Sequence, residues 1–418
     1  MCRNWLKGTM GIKGDKIRKV DAVIVGAGLA GAACAKRLID AGYETILIEK
    51  KELPRHKICS GILSPRGHRF IIENFGPLPS EIFHEPTSCR GVMFHFPGAK
   101  SIALNFDRGP TPHLHRKYSD YWAVKRSNVE IHDKTRFIGL RDRGSHVDVQ
   151  ARSGEEPVSY RAKVLIGADG PNSRVIQSVY PEYQKQIPWF VVGQRFHRII
   201  ECPLDMEYFH FWFHPDLGYY TWSHARDGLQ IIGNAFKRGD NFNIRHQNVL
   251  NYLESRHGVK LEPYDDGEAC LENFGISLIN RYVFGRSNVI ITGQAAGFLN
   301  MMAEGMSCAL HSGAIAGEAI IEAHRYNMPL QKVYRSMIAS EVKKCTDQWN
   351  PLRIIFNRPH EADFREVFKR LKTFDQIKMV VELIRFIKVF RGFGWGWQIV
   401  QQALFRLYYK RYQTGRWS

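Results

Sequence analysis

Three glycines and one acid carry the first chemical signal in this chain. Gly26, Gly28 and Gly31 stand at GxGxxG spacing, and Glu49 closes the strand-like run that follows. The glycines have separate physical reasons. Gly26 permits a tight turn, Gly28 lets a pyrophosphate approach the backbone, and Gly31 lets a helix pack close to a strand. Leu29 and Ala30 begin that helix, whose free N–H groups and partial positive charge suit a phosphate. The carboxylate of Glu49, with Lys50 after it, can accept both hydroxyls of an adenosine ribose. It would repel a free 2′-phosphate, so the residues point to FAD or NAD rather than NADP.

These residues need a βαβ unit to position them, and the sequence supplies one. Residues 22–25 are a short apolar run of the kind buried in a parallel sheet. Residues 29–41 are rich in Ala and Leu, lack proline, and are stopped by Gly42. Residues 44–48 form the second strand. Beyond this unit, 162–175 reads as a buried strand, a Gly-Asp-Gly turn and a helix start. Residues 185–235 read as several consecutive strands without helices, which predicts an antiparallel sheet in a different layer. Residues 113–126 and 244–256 look helical. A third buried strand, 288–293, leads into a small-residue helix over 308–324, and the chain is helical and basic from about 330.

With 418 residues, the chain has room for two domains. Its formal charge of +18 favours an anionic partner: a membrane surface, a phosphorylated substrate or a nucleic acid. No nucleic-acid-binding motif is visible, so none is expected as partner. Residues 365–418 carry twelve Lys/Arg against three acids, half of that net charge, interleaved with apolar and aromatic residues. Such a segment suits an anionic membrane surface, while a helical cap packed on the domain is the alternative. No stretch is long and apolar enough to span a bilayer, and residues 1–19 show no secretory core. The eight cysteines show no CxxC pair, which argues against a zinc site and against a disulfide framework. A cytoplasmic protein, peripheral on a membrane at most, is the expectation, with no metal.

Three blocks together resemble a known family. The first is the βαβ unit. The second, Leu165-Ile166-Gly167-Ala168-Asp169-Gly170 with Ser173-Arg174-Val175, resembles the GADG block of PHBH-type flavoproteins. The third runs Gly293-Gln294-Ala295-Ala296-Gly297-Phe298, Ala303-Glu304-Gly305-Met306, then 309–313. It resembles the GDAAGF…GEGI block of the geranylgeranyl reductase family. Lys57-Ile58-Cys59-Ser60-Gly61 is similar to that family's KxCGG loop. Gly218 to Trp222 is similar to its GYxWxFP segment, and Arg116 to Asp120 to its RxxFD helix start. The resemblance spans about residues 20–325.

The resemblance implies an α/β fold: a Rossmann-type FAD-binding domain of the PHBH kind, built discontinuously from 20–85, 108–175 and 270–330. An antiparallel β-sheet substrate domain would come from 86–107 and 176–269, and a helical basic region from 331–418. It implies FAD as cofactor, with Asp169 and Gly170 near the pyrophosphate and Gly297 to Gly305 beside the isoalloxazine. Cys59, in a loop facing the flavin, becomes the candidate catalytic proton donor. His56 and Lys57 are the adjacent groups able to activate its thiol. Tyr220 and Trp222 become substrate-side residues.

The implied reaction is reduction of a C=C double bond in an isoprenoid-like hydrophobic or lipid substrate. The donor would be NAD(P)H or a ferredoxin-like protein. Two other readings stay open: a monooxygenase of the same fold, and a membrane-docked electron-transfer flavoprotein without small-molecule turnover. Three departures bear on this. Gln294 stands where the family usually has Asp, Ser60 replaces a glycine, and Ser223-His224 replace Phe-Pro. Gly394 to Ile399 also resembles the GWxWxI motif of flavin-dependent halogenases, but its place in the basic tail favours an interfacial Trp pair.

Overall fold

The computed structural model describes residues 17–355, apart from 96–100, 107–108, 213–216, 218–219, 266, 274 and 301. The basic tail 365–418, the GWGWQI stretch and Gly218 therefore lie outside the described residues. The core sheet is laid down by the opening unit. Strand Arg18–Val25 pairs in parallel with Thr45–Ile48 on one side and Glu156–Gly167 on the other. Val289–Ile291 continues the parallel order beyond Glu156–Gly167, and Glu130–His132 continues it beyond Thr45–Ile48. All four residues of Thr45–Ile48 are buried, as expected where helices cover both faces of a parallel sheet. Strands Thr135–Asp142 and Val147–Ser153 add an antiparallel wing to the long strand Glu156–Gly167.

The second sheet is mostly antiparallel. Its order runs Lys260–Pro263, Phe190–Glu201, Leu229–Lys237, Tyr220–Arg226, Tyr208–Trp212, Gly91–His95, Ile102–Asn105, with Glu268–Glu272 also on Phe190–Glu201. One pairing departs from the expected antiparallel order: Tyr208–Trp212 and Gly91–His95 run parallel. The chain enters this sheet twice, once near residue 91 and again near residue 190. Strands delivered by separate entries are not bound by hairpin geometry. Helix Phe242–His257 covers one face, packing Val249 and Leu253 against Trp212 and Ile232.

Most expected elements are present with shifted ends. Residues 113–115 are not helical: Thr111–Leu114 is a strand paired with Phe83–Cys89, and the helix is Arg116–Arg126. Pairing with Phe83–Cys89 draws these residues into the strand, and Pro112 biases Thr111 before it to extended backbone. Helix Leu330–Ile355, which the sequence places in a C-terminal region, docks on the core sheet. Tyr334 Oη donates to Ile291 O at 2.9 Å.

Helix Leu29–Asp40 is pressed between the core sheet and helix Met306–Arg325. A Cβ at Gly313 would sit 2.2 Å from Ala30 O, and one at Gly317 would sit 2.7 Å from Arg37 Cβ. This close approach seats the phosphate-facing turn against the rest of the fold. Gly313→Val is expected to destabilise the protein by about 1–3 kcal/mol through overpacking, read as a lowered midpoint in urea denaturation.

Candidate functional site

A cavity of about 760 Å³ opens between the two sheets. Its floor is the turn after the first strand. Gly26 has φ +111°, and a Cβ there would meet Ala168 O at 2.5 Å; a Cβ at Gly31 would meet Gly26 O at 2.1 Å. These two glycines are demanded by the chain itself. Gly28 is different. Its backbone is extended, with φ −97°, and a Cβ would have only Arg55 Nη2 within reach, at 3.6 Å. Among the described residues, nothing fills the space before Gly28. The helix that begins at Leu29 has no side-chain cap and no acid in its first turn, so its first N–H groups face that space.

Glu49 is 5% exposed and borders the same cavity. Its carboxylate accepts from Ala27 N at 3.1 Å, Lys51 N at 3.1 Å and Arg55 Nε at 3.0 Å. Arg55 also reaches Asp120 at 3.6 Å, and Asp120 is gripped at both oxygens by Arg116, at 2.8 and 2.9 Å. Burial alone would lower the affinity of the Arg116 guanidinium for its proton. The Asp120 charge and the Cys59 sulfur beside it reverse this and hold it far above the ordinary value. Arg55 escaped the sequence reading; its signal was only its nearness to Glu49 in the chain.

Cys59 lies on the cavity wall beside Arg116, and its sulfur accepts from Gly61 N at 3.4 Å. The expected neighbours do not face this thiol. His56 Nε2 pairs with Glu268 Oε2 at 2.5 Å, and Lys57 Nζ stands 3.8 Å from Glu272 Oε1. The loop is pinned from behind. His113 presents one ring nitrogen 2.9 Å from Ser60 O and the other 3.1 Å from Pro86 O, and Arg226 donates to Cys59 O at 3.2 Å. Burial lowers His113 to about 4, so at pH 7 the neutral ring donates to one of these two carbonyls.

Lys50, Ser60, Asp169, Gly170, Gln294, Gly305, Met306 and Trp222 also border the cavity. Gly31, Gly61, Gly293 and Gly297 stand behind its wall and serve packing. A Cβ on Gly61 would meet Leu114 O at 2.5 Å, and one on Gly297 would meet Ile276 Cγ2 at 2.2 Å. Asp169 caps the helix Arg174–Val179 through Oδ2, accepting from Arg174 N at 2.7 Å, while its buried Oδ1 finds no partner among the described residues. Burial raises the Asp169 carboxyl above the usual range. Gln294 Nε2 donates to Glu272 Oε2, so a carboxylate does stand at this position, supplied by the second sheet.

The opposite wall is apolar: Val92, Phe106, Val192, Phe209, Phe211, Trp222 and Leu299. Trp222 faces Gly233 across the strand pair, and a Cβ there would sit 2.0 Å from the indole. Gly233 is thus a seat for the ring, readable in sequence only as a glycine inside a strand pattern. The indole Nε1 is buried without a partner among the described residues. Tyr220 pairs through its backbone with Ala235, which borders the cavity. His224, at the family's Phe-Pro position, is off the wall and stacks behind Phe209, with centroids 5.3 Å apart.

Comparisons with known proteins agree with this geometry. Residues 21–61 match the FAD binding domain family. The structure of a geranylgeranyl bacteriochlorophyll reductase-like protein from Thermoplasma acidophilum superposes with a TM-score of 0.71 at 15% identity, covering 89% of this chain and 98% of that one. The myxobacterial chondrochloren halogenase CndH, an FAD-dependent halogenase, gives a TM-score of 0.67 at 17% identity, covering 93% and 97%. The cofactor is FAD. By sequence, protein CbrA of Escherichia coli O9:H4 is 28% identical over 320 residues, covering 72% of this chain and 81% of CbrA. The fold is that of the FAD-dependent flavoproteins.

The residues present fit FAD. Open backbone at Gly28, an uncapped helix start, an orphaned carboxylate oxygen on Asp169 and a cationic rim with Lys50, Lys51, Arg136 and Arg174 suit an anionic dinucleotide. Gly28→Val is expected to leave the unfolding midpoint unchanged while weakening FAD binding at least tenfold, about 1.4 kcal/mol, by flavin fluorescence titration. Arg55→Met removes one partner from two buried acids. It is expected to cost about 3–5 kcal/mol of stability and to strip FAD from the purified protein, read as a lost 450 nm absorbance.

Proposed function

We propose that this protein is an FAD-dependent reductase of C=C double bonds in a hydrophobic, isoprenoid-like substrate. The observation that carries the reading is the apolar wall of Phe106, Phe209, Phe211 and Trp222 in one cavity with Cys59. Such a wall binds a hydrocarbon chain by removing it from water. The unpartnered Trp222 Nε1 would donate to an acceptor on the substrate and fix its register. Bound FAD, once reduced, supplies hydride. The chain supplies the proton: Cys59 gives its S–H to the neighbouring carbon, and Arg116, held by Asp120, keeps the sulfur in place.

Electrons would come from NAD(P)H or a ferredoxin-like protein. A lipid substrate agrees with the basic segment 365–418, which would hold the protein at an anionic membrane surface. The structural likeness to halogenase CndH supports a second reading, oxygen chemistry on a different substrate.

The deciding experiment mixes dithionite-reduced holoprotein with a geranylgeranyl lipid under anaerobic conditions in a stopped-flow instrument. Flavin reoxidation that scales with lipid, with a saturated product by mass spectrometry, is the expected result. A lipid that leaves the flavin reduced, with oxygen-dependent substrate modification instead, selects the second reading. Cys59→Ala is expected to slow lipid-dependent reoxidation by about 100-fold or more while retaining full FAD. An unchanged rate removes Cys59 from the chemistry.

A further inference from the structure

Two cysteines outside the cavity lie against each other. Helices Met306–Arg325 and Leu330–Ile355 bring Cys308 and Cys345, 37 positions apart in sequence, to a sulfur–sulfur distance of 3.8 Å. Both are buried, at 3% and 1% exposed, and the reductase chemistry uses neither. Glu341 stands one turn before Cys345, and its oxygen and the two sulfurs lie within 4.8 Å of one another.

Two thiols and a carboxylate are metal-ligand types. Arg66 argues against a metal here. Its guanidinium forks onto both oxygens of Glu341, at 2.7 and 2.6 Å, which occupies the carboxylate and sets a positive charge where a cation would bind. The sulfurs are left to each other. The adjacent Cys345 sulfur and burial push the Cys308 thiol up, so it rests protonated.

We propose that Cys308 and Cys345 form a reversible disulfide that fastens the cavity-edge residues 302–306 to helix Leu330–Ile355. Trp349, one turn beyond Cys345, already donates to Leu299 O at 2.7 Å and holds the chain ahead of those residues. Cys308 follows Met306 at their far end, and both Leu299 and Met306 border the cavity. The disulfide would hold the chain after them as the indole holds it before. In the reaction both S–H bonds break and one S–S bond forms. The two electrons and two protons pass to hydrogen peroxide, whose O–O bond breaks to give two waters. Peroxide is small, uncharged and the ordinary product of reduced flavin meeting oxygen, so an oxidant able to enter a buried site arises in the neighbouring cavity. The sulfurs, 3.8 Å apart, close to about 2.0 Å when the bond forms.

The test uses the full-length holoprotein, first reduced with dithiothreitol and then titrated with hydrogen peroxide. Peptide mapping without reductant is expected to show a linked peptide containing Cys308 and Cys345, lighter by two hydrogens and released by dithiothreitol. Amide exchange within 302–306 is expected to slow in the linked form. Cys345→Ser should lose both effects; if it fails to fold, the wild-type map decides alone. Three results overturn the proposal: both thiols free at peroxide doses that oxidise Cys59, a link that forms only in unfolded protein, or zinc released in stoichiometric amount when the thiols are blocked. Unchanged exchange in a linked protein overturns the fastening role.

Discussion

The site depends on a buried line of alternating charge. Glu49, Arg55, Asp120 and Arg116 follow one another in sign and end at the sulfur of Cys59. The members are almost out of water, with side chains between 1% and 13% exposed. Isolated charges there would cost several kcal/mol each in lost hydration, so each persists only because both flanks are answered. The line also couples two ends of the cavity. The acid suited to a ribose and the thiol suited to proton transfer lie close in sequence, yet the ionic chain that sets them runs through Asp120 and Arg116, some sixty positions on.

That line needs a rigid frame, and the frame explains the glycines. Helix Leu29–Asp40 must touch the sheet at Gly26 and helix Met306–Arg325 at Gly313 with no side chain between. The same helix starts the phosphate-facing turn, so its fit fixes the cavity floor. The second sheet is held more loosely in sequence terms, since its strands arrive by two entries. Its contribution is the apolar wall, and there one glycine again decides: Gly233 leaves the space that the Trp222 ring occupies.

What the sequence makes legible follows from how local each interaction is. The GxGxxG turn, its helix and Glu49 lie within one supersecondary unit, so spacing alone places them. The fold class follows, because alternating β and α patterns and a run of strands are local signals too. The strand Thr111–Leu114 is masked by helix-forming residues just after it, and only Pro112 marks its extended start. Arg55 is different: it lies in a loop, and its meaning comes from Asp120, a partner on helix Arg116–Arg126. Cys308 and Cys345 carry no spacing signal at all, since two helices must pack before they become neighbours. The same limit applies to His56 and Lys57. Adjacency in sequence suggests that they face Cys59, whereas the strand Glu268–Glu272 draws both away with its acids.

That strand also accounts for Gln294. Read alone, an amide at a position where the resembled family has a carboxylate looks like a loss of charge at the cofactor. In the folded chain Glu272 reaches the same place from the second sheet, and Gln294 donates to it. Two carboxylates at this contact would repel across a buried wall, where the low dielectric strengthens the repulsion. An amide resolves the conflict, because it can donate to Glu272 and still offer an oxygen. The amide at 294 thus matches the carboxylate at 272, and both side chains border the cavity.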